Sequence, residues 1–215
     1  MQTITAQGTT LDEVEKFTYL GSCIARDGNV EDDINARLGK AAAVFRRMNN
    51  IWSSKTLNLD IKIRLYTTIV LPTAIYASET WKMTVKHAAK LDTFYQRCLR
   101  RILKVTWKDH ITNGEILRRT WQRRLRDSIA ERRLKFAGHI LQTSCTRLAR
   151  TAFMWRPADG KRKRGRPRRT WRDTVRDDLR ARGETWEDAP LLAADRERWL
   201  CIVARCPTGI GGAKV

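Results

Sequence analysis

The densest cluster of charged side chains lies between Trp155 and Trp171, in the sequence WRPADGKRKRGRPRRTW. Seven cations surround a glycine and a proline there: Lys161, Arg162, Lys163, Arg164, Arg166, Arg168 and Arg169. Because burying an unpaired charge is costly, this stretch must stay hydrated or meet a polyanion. Phosphate groups are the expected partner, which predicts contact with nucleic acid.

The core of this stretch, Arg164-Gly165-Arg166-Pro167, resembles an AT-hook, in which an extended Arg-Gly-Arg segment lies in the minor groove of A·T-rich DNA. The glycine would avoid the groove floor, the proline would favour an extended backbone, and the arginines would seek the negative potential of the groove. The run from Lys161 to Arg164 equally fits a nuclear-import signal or a general polyanion contact.

The charge of the whole chain agrees with this stretch. Lys and Arg number 43 against 23 Asp and Glu, which gives a net charge of +20 and an isoelectric point near 10.5. Residues 118–182 hold 22 basic and 6 acidic residues and therefore carry +16 of that charge. This skew indicates a nucleic-acid-binding surface. The alternative is a helical protein whose solvated arginines keep it soluble.

Catalytic and metal-binding motifs are nearly absent. The sequence has no GxSxG, HExxH or CxxC motif and no glycine-rich phosphate loop, so we expect no catalytic residue, metal site or cofactor. Asp32-Asp33 and Asp177-Asp178 are the nearest to a metal site, but neighbouring residues on a helix point about 100° apart. They are better explained as acidic residues near helix starts.

Length and composition limit the class of protein. With 215 residues, 42% of them hydrophobic, the chain can bury a core in one or two domains. Its five cysteines, an odd number, favour a reduced intracellular setting, nuclear or cytoplasmic. The longest apolar run, Ile69 to Ala77, is short and interrupted by Pro72, so no membrane partner is expected.

The elements that would position these cations are predicted to be mainly α-helical. Residues 2–6 and 17–24 have strand composition, with turn residues at Gln7-Gly8 and Asp27-Gly28, and predict a β-hairpin within residues 1–29. Helical periodicity follows in residues 30–142 and predicts a bundle. Residues 143–169 are predicted as a basic linker, 170–206 as a small helical tail and 207–215 as a frayed end.

Within the bundle, one helix is predicted from Val30 to Trp52, and a second from an Asn58 cap to Pro72. A third, from Thr84, would bury Cys98 and turn Arg97, Arg100 and Arg101 outwards. A fourth would open with a Thr112/Glu115 capping box and bury Leu117, Trp121, Leu125, Ile129, Phe136 and Ile140. Its outer face would present Arg118, Arg119, Arg123, Arg124, Arg126, Arg132 and Arg133, either to a phosphate backbone or to Asp127 and Glu131.

In the tail, a Thr170/Asp173 capping box opens a helix that stops near Gly183, and Asp188 caps the last helix.

Several short words of sequence occur in the order found in one known family. Phe17-Thr18-Tyr19-Leu20-Gly21-Ser22 followed by Asp27-Gly28 resembles the primer-grip element of reverse transcriptases from non-LTR (LINE-type) retrotransposons. Six further short motifs resemble the thumb and tail of the same polyproteins. They are Leu71-Pro72 with Tyr76, Glu79-Thr80-Trp81, Leu99 to Leu103, Gly138-His139-Ile140 after Arg133-Leu134, Gly165-Arg166-Pro167 with Trp171, and Asp195-Arg196 with Trp199. One departure is Leu141-Gln142-Thr143, where many relatives have a hydrophobic residue, Arg and Met.

The resemblance implies a template-primer cradle that binds DNA, RNA or an RNA-DNA hybrid through the arginines above, with Phe17, Tyr19, Leu20 and Gly21 near a primer end. The family polymerises DNA with Mg²⁺ held by palm aspartates in a Tyr-x-Asp-Asp turn, a motif this sequence lacks. We therefore expect the chain alone to be inactive, without a cofactor or small-molecule substrate of its own. Two alternatives stay open: an AT-hook-like nuclear adaptor derived from a retroelement, and a protein that pairs with a palm/fingers fragment supplied in trans.

Overall fold

The computed structural model describes residues 5–6, 8–155 and 169–205. The predicted fold class is confirmed, since short antiparallel strands at the N-terminal end are followed by helices. The strands are β1 (Thr5–Ala6), β2 (Thr9–Thr10), β3 (Lys16–Tyr19) and β4 (Ser22–Ala25). The helices are α1 (Glu31–Arg47), α2 (Asn49–Ser53), α3 (Leu59–Leu65), α4 (Leu71–Ala74), α5 (Val85–Leu103), α6 (Asn113–Thr120), α7 (Leu125–Gln142), α8 (Leu148–Met154), α9 (Trp171–Arg180), α10 (Ala189–Ala194) and α11 (Arg196–Ala204).

The strands form two antiparallel pairs, β1 with β2 and β3 with β4. In the second pair Lys16 lies opposite Ala25 and Tyr19 opposite Ser22, so the run 17–24 is a hairpin that turns at Leu20 and Gly21. Both turn residues have positive φ, 47° and 77°, as a type I′ turn requires. The turn therefore lies inside the predicted strand run.

Side-chain caps begin several helices where the sequence predicts them. Asn58 Oδ1 accepts a hydrogen bond from the Ile61 amide at 2.9 Å, and Thr170 and Asp173 form a complete capping box. Thr112 caps α6, but the Glu115 carboxylate turns to arginines, so only half of that capping box forms. Asp188 occupies the N-cap position of α10, as predicted, but its side chain makes no capping bond; in α11 the Asp195 side chain does cap the helix.

The predicted fourth helix is two helices, α6 and α7, separated at residues 121–124. The amides of Trp121 and Gln122 bond back to the carbonyls of Arg118 and Leu117, and Trp121 has a φ of 53°. These bonds form the Schellman motif that ends a helix. Trp121, at this break, is 87% exposed, and Phe136 in α7 is 38% exposed, so the prediction that both are buried is wrong.

Other boundaries also differ from the prediction. The helical backbone continues past Pro72 as α4, after a π-helical turn at Tyr66–Val70. The helix α8 lies inside the predicted basic linker, and its Phe153 packs edge-on against Trp171 and Trp186. The last predicted helix is split at Asp195 into α10 and α11, while the predicted stop at Gly183 is confirmed by its φ of 80°.

Two clusters of buried apolar side chains hold the described chain together. The first joins α1 to α6 with the start of α7, around Trp52, Tyr66, Trp81 and Leu99. The second joins the rest of α7 to α8, α9, α10 and α11, around Trp199. Thus α7 gives Leu125 and Ile129 to one cluster and its later apolar residues to the other. The domain limits proposed from the sequence stay predictions.

One arginine of the predicted outer face is buried. Arg133 is 3% exposed, donates to Asp178 Oδ2 of α9 at 2.6 Å, and donates to the Trp81 carbonyl at 3.2 Å. The prediction that it faces solvent is wrong because α9 and the 3₁₀ turn before Trp81 cover that side of α7. No helix in the described ranges is both long and apolar enough to cross a membrane.

Candidate nucleic-acid interface

Three predicted arginines of α5 come together at one groove. Positions 97, 100 and 101 lie on one face of the helix because residues three and four apart are neighbours there. A groove of about 580 Å³ runs beside them. It is lined by Asp92, Thr93, Gln96, Arg97, Arg100, Arg101, Val105 and Asn113.

Two of these arginines are held in place by neutral acceptors. Arg100 Nη2 donates to the Ile111 carbonyl at 2.7 Å and to Asn113 Oδ1 at 2.9 Å. Arg101 Nη2 donates to Asn49 Oδ1 at 3.2 Å, while exposed Arg97 has no side-chain partner in the described part of the chain. Since no carboxylate among the described residues pairs with them, the three guanidiniums keep their positive charge available to an anion.

On α6, one carboxylate serves two arginines. Glu115 accepts from Arg118 Nε and from Arg119 Nε, each at 2.7 Å. These hydrogen bonds lower the pKa of Glu115 from 4.5 to about 2. Arg118 and Arg119 are therefore exposed but partly neutralised, through an acidic partner that the sequence prediction did not give them.

The loop before α7 carries the next arginines. Arg123 pairs with Glu131 at 2.9 Å, one of the two predicted acidic partners, but it does so from the loop and not within a helix. Arg126, in the first turn of α7, lies 3.7 Å from Asp127, at the edge of an ion pair. Arg124 is exposed and has no ion pair within the described ranges, which leaves it the freest cation of this loop.

Of the basic stretch from Trp155 to Trp171, the structure describes Trp155 and residues 169–171. Arg169 is exposed and pairs with Asp177 at 2.6 Å. Lys161, Arg162, Lys163, Arg164, Arg166 and Arg168 lie outside the described residues, so the AT-hook interpretation stays a prediction.

The primer-grip-like residues form an exposed apolar tip. Phe17, Tyr19 and Leu20 are 57%, 58% and 75% exposed, and the two rings stack with centroids 6.5 Å apart. Gly21 lies against Arg37, since a Cβ there would be 3.6 Å from Arg37 Nη2. Arg37 therefore packs against one side of the tip, while Phe17, Tyr19 and Leu20 are exposed to solvent.

Asp33 anchors this hairpin to the helices. Its Oδ1 accepts from the Cys23 amide at 3.0 Å and its Oδ2 from Trp81 Nε1 at 2.8 Å. Arg37, which stacks over the Tyr76 ring at 4.2 Å, donates to Ser22 Oγ at 3.2 Å. Sequence reasoning treated Asp33 only as an acidic residue near a helix start. No local signal predicts its bond to Trp81, 48 positions away.

The hairpin and the arginine groove lie at opposite ends of α1. Asp33 holds the hairpin at the beginning of this helix, and Asn49, just after its end, contacts Arg101. Sixteen residues of α-helix rise about 24 Å. An extended ligand would have to cover about that length to reach both surfaces.

Metal-ligating side chains do not gather in the described part of the chain. It contains no cluster of three His, Cys, Asp or Glu residues placed to hold a metal ion. Cys98 is a free buried thiol, as predicted, and burial raises its pKa to about 12. Such a thiol is unreactive at neutral pH.

Comparison with known proteins finds one relative that spans most of this chain. A transposon-derived protein of Caenorhabditis elegans is 29% identical over 209 residues, which cover 93% of this chain and 74% of the relative. No family model matches the chain. No solved structure matches it either.

Proposed function

We propose that this chain is a nucleic-acid-binding C-terminal part of a LINE-type reverse transcriptase, where it cradles a template-primer duplex. The similarity to a transposon-derived protein supports an origin in a transposable element. The primer-grip-like, thumb-like and tail-like motifs, which occur in the family's order, support the more specific assignment to LINE-type reverse transcriptases. The catalytic aspartates would belong to a palm that is not part of this sequence.

The groove beside α5 supports this proposal, because no carboxylate among the described residues pairs with its three arginines. Two are oriented by a carbonyl and by amide oxygens, which fixes their direction without cancelling their charge. Phosphate contacts of this type hold a duplex without reading its sequence. The hairpin anchor at Asp33 lies about 24 Å along α1 from Asn49 at the groove, so a duplex that reaches both positions would span about seven base pairs.

Salt dependence of binding tests the groove. An RNA-DNA hybrid with a fluorescent label is titrated with the protein between 50 and 200 mM salt. Each phosphate contact contributes about 0.9 to the slope of log K against log salt for duplex DNA. We therefore expect the double variant R97A/R101A to reduce that slope by about 1.8 and to weaken binding at every sequence tested.

A matched control is R196A/R198A on α11, which removes the same charge at exposed positions away from α5. It should change the slope far less. If both double variants behave alike, the groove has no special role. Failure of the wild-type chain to bind duplex or hybrid at low salt, or binding without salt dependence, would refute the proposed function.

The AT-hook-like alternative has its own test, since it rests on Arg164-Gly165-Arg166-Pro167. If R164A/R166A removes a preference for A·T-rich duplex, the hook reads DNA shape and the adaptor function is favoured. A small and even loss across sequences would mean that these arginines only add phosphate contacts.

A further inference from the structure

Three tryptophans of the described chain are mostly exposed, Trp107, Trp121 and Trp155, and the first two flank α6. Trp107 is 79% exposed and Trp121 87% exposed, whereas Trp52, Trp81, Trp186 and Trp199 are each at most 8% exposed. The Trp107 and Trp121 indoles lie on either side of α6, in the loops that join it to α5 and α7. Indole is among the largest apolar groups, so leaving it in water forgoes a large gain from burial.

The backbone at Trp121 makes its presence harder to explain by folding alone. It occupies the left-handed position of a Schellman motif, where glycine is the usual residue because it has no Cβ to clash. A tryptophan here gains nothing from burial and adds backbone strain. Strained non-glycine residues of this kind concentrate at functional sites.

Both loops are held firmly by α5. Tyr95 donates its hydroxyl hydrogen to the Arg123 carbonyl at 3.1 Å, just beyond Trp121. On the other side, Arg100 bonds to the Ile111 carbonyl, and a capping box closes the turn at Trp107–Asp109. The two indoles are therefore presented from ordered backbone.

Basic side chains lie near both indoles in the chain, some of them paired with carboxylates: Arg118 and Arg119 with Glu115, and Arg123 with Glu131. Lys108 Nζ lies 6.0 Å from the centre of the Trp107 ring, and exposed Arg123 and Arg124 lie two and three positions after Trp121 in the chain. Arg118 and Arg119 lie in the last turn of α6. Aromatic faces beside a basic groove are the combination that binds single-stranded nucleic acid, because any base can stack on the ring while cations contact the backbone.

We propose that Trp107 and Trp121 stack on unpaired bases, so that this face of the chain binds a single-stranded segment. The inference rests on the proposed function and deepens it, because a cradle for a template-primer duplex must also hold template that is not yet paired. The cations around the indoles favour nucleic acid over an apolar protein surface.

The variant W121G tests this with little risk to the fold. Glycine relieves the left-handed backbone, so the melting temperature should stay the same or rise. Loss of one stacked base costs about 1–3 kcal/mol, so affinity for a labelled 20-nucleotide oligo(dT) should fall about 5- to 150-fold. Affinity for a duplex of the same length should change less than about twofold. W121F keeps an aromatic face and should retain most of the oligo(dT) affinity, and W107A should act as W121G does.

The outcomes separate this inference from the proposed function. If the wild-type chain binds duplex but not oligo(dT), or if W121G and W107A leave oligo(dT) affinity unchanged, the stacking role is overturned while the cradle stands. Equal losses for oligo(dT) and duplex also overturn it, since stacking on unpaired bases predicts a selective loss. If no nucleic acid binds at all, the proposed function itself fails, and the exposed indoles would then favour a protein partner.

Discussion

Individual residues in left-handed backbone conformation mark the surfaces that we assign to binding. The non-glycine residues with positive φ in the described chain are Leu20, Ala77, Lys104, His110 and Trp121. Three of the five lie between the end of α5 and the end of α6, and a fourth forms the hairpin turn. Each costs about 1–2 kcal/mol of backbone strain relative to glycine. Their distribution associates strain with the two candidate contact regions.

Leu20 offers a direct measurement of this strain. Asn-Gly is the preferred pair for a type I′ turn, so L20N should raise the free energy of unfolding by up to about 1 kcal/mol. Thermal denaturation checks the change. The control I24N alters a similarly exposed apolar residue in β4, outside the turn, and should give no gain because Asn is a poor strand former. A lower melting temperature for L20N would mean that the Leu20 side chain packs in solution.

Glu115 gives a prediction in pH. Its folded pKa of about 2 lies below the ordinary 4.5, because Arg118 and Arg119 bond to the ionised form. The folded chain therefore binds fewer protons than the unfolded chain between these values, and the stability from Glu115 is lost as pH falls from about 4.5 towards 2. A carboxyl ¹³C NMR titration should give a midpoint near 2 that rises towards 4.5 in R118A/R119A. An unchanged midpoint in that variant would contradict the assigned cause.

At the scale of secondary-structure elements, several residues of the motifs that resemble the retrotransposon family make packing contacts between helices. Gly138 in α7 lies against Trp199 in α11, whose Nε1 donates to the Leu134 carbonyl at 3.1 Å. Trp171 Nε1 donates to the Glu79 carbonyl at 2.8 Å. These residues are far apart in sequence but adjacent in the fold. Their ordered spacing reflects how helices approach one another in this chain.

The approach of α11 to α7 depends on Gly138. A Cβ there would lie 2.6 Å from Trp199 Cδ1, inside a rigid and buried indole. We expect G138A to destabilise the chain by about 3 kcal/mol, at the upper end of overpacking costs. Urea denaturation measures this.

G39A is the matched control for that substitution. Gly39 lies in α1 with nothing within 4 Å of an added Cβ, so alanine should add about 0.5–1 kcal/mol through helix propensity. Equal effects of the two substitutions would mean that α7 and α11 are not in close contact.

At the scale of the whole molecule, Arg133 joins the two apolar clusters. It bonds to Asp178 on α9, in the second cluster, and to the carbonyl of Trp81, in the first. An arginine buried in this way is weak evidence for stability but strong evidence for a fixed arrangement, since either partner alone would be an unpaired buried charge.

Removing one partner of this pair should therefore be costly. R133A should lower the free energy of unfolding by about 3–5 kcal/mol, measured by urea denaturation. The double variant R133M/D178L should be less destabilised than R133A, because no unpaired charge remains. R132A is the control, since exposed Arg132 loses only a 3.3 Å bond to the Ile75 carbonyl. If R133A and R132A cost the same, the buried pair is not formed in solution.

The sequence predicted elements well and long-range contacts poorly. Periodicity located α1 and α5, and a capping box located α9, because those signals are local; the first predicted helix, however, is divided at Met48 into α1 and α2. The break at Trp121 escaped prediction, since Leu117, Trp121 and Leu125 keep a helical spacing of four straight through it. The exposure of Arg133 was misjudged because it depends on α9, more than 40 residues later. Of the candidate site, the arginines of α5 were predicted, but their neutral anchors Asn49 and Ile111 and the anchor of the hairpin at Asp33 were not.

The division of α7 between the two clusters has a consequence for how the chain opens. Neither cluster can come apart without uncovering one half of this helix, so its backbone amides are shielded by both. In hydrogen-deuterium exchange, the amides in the middle of α7 should be the last to exchange, and their exchange should approach the rate of global unfolding. We therefore expect the helices packed on the two halves of α7 to unfold together.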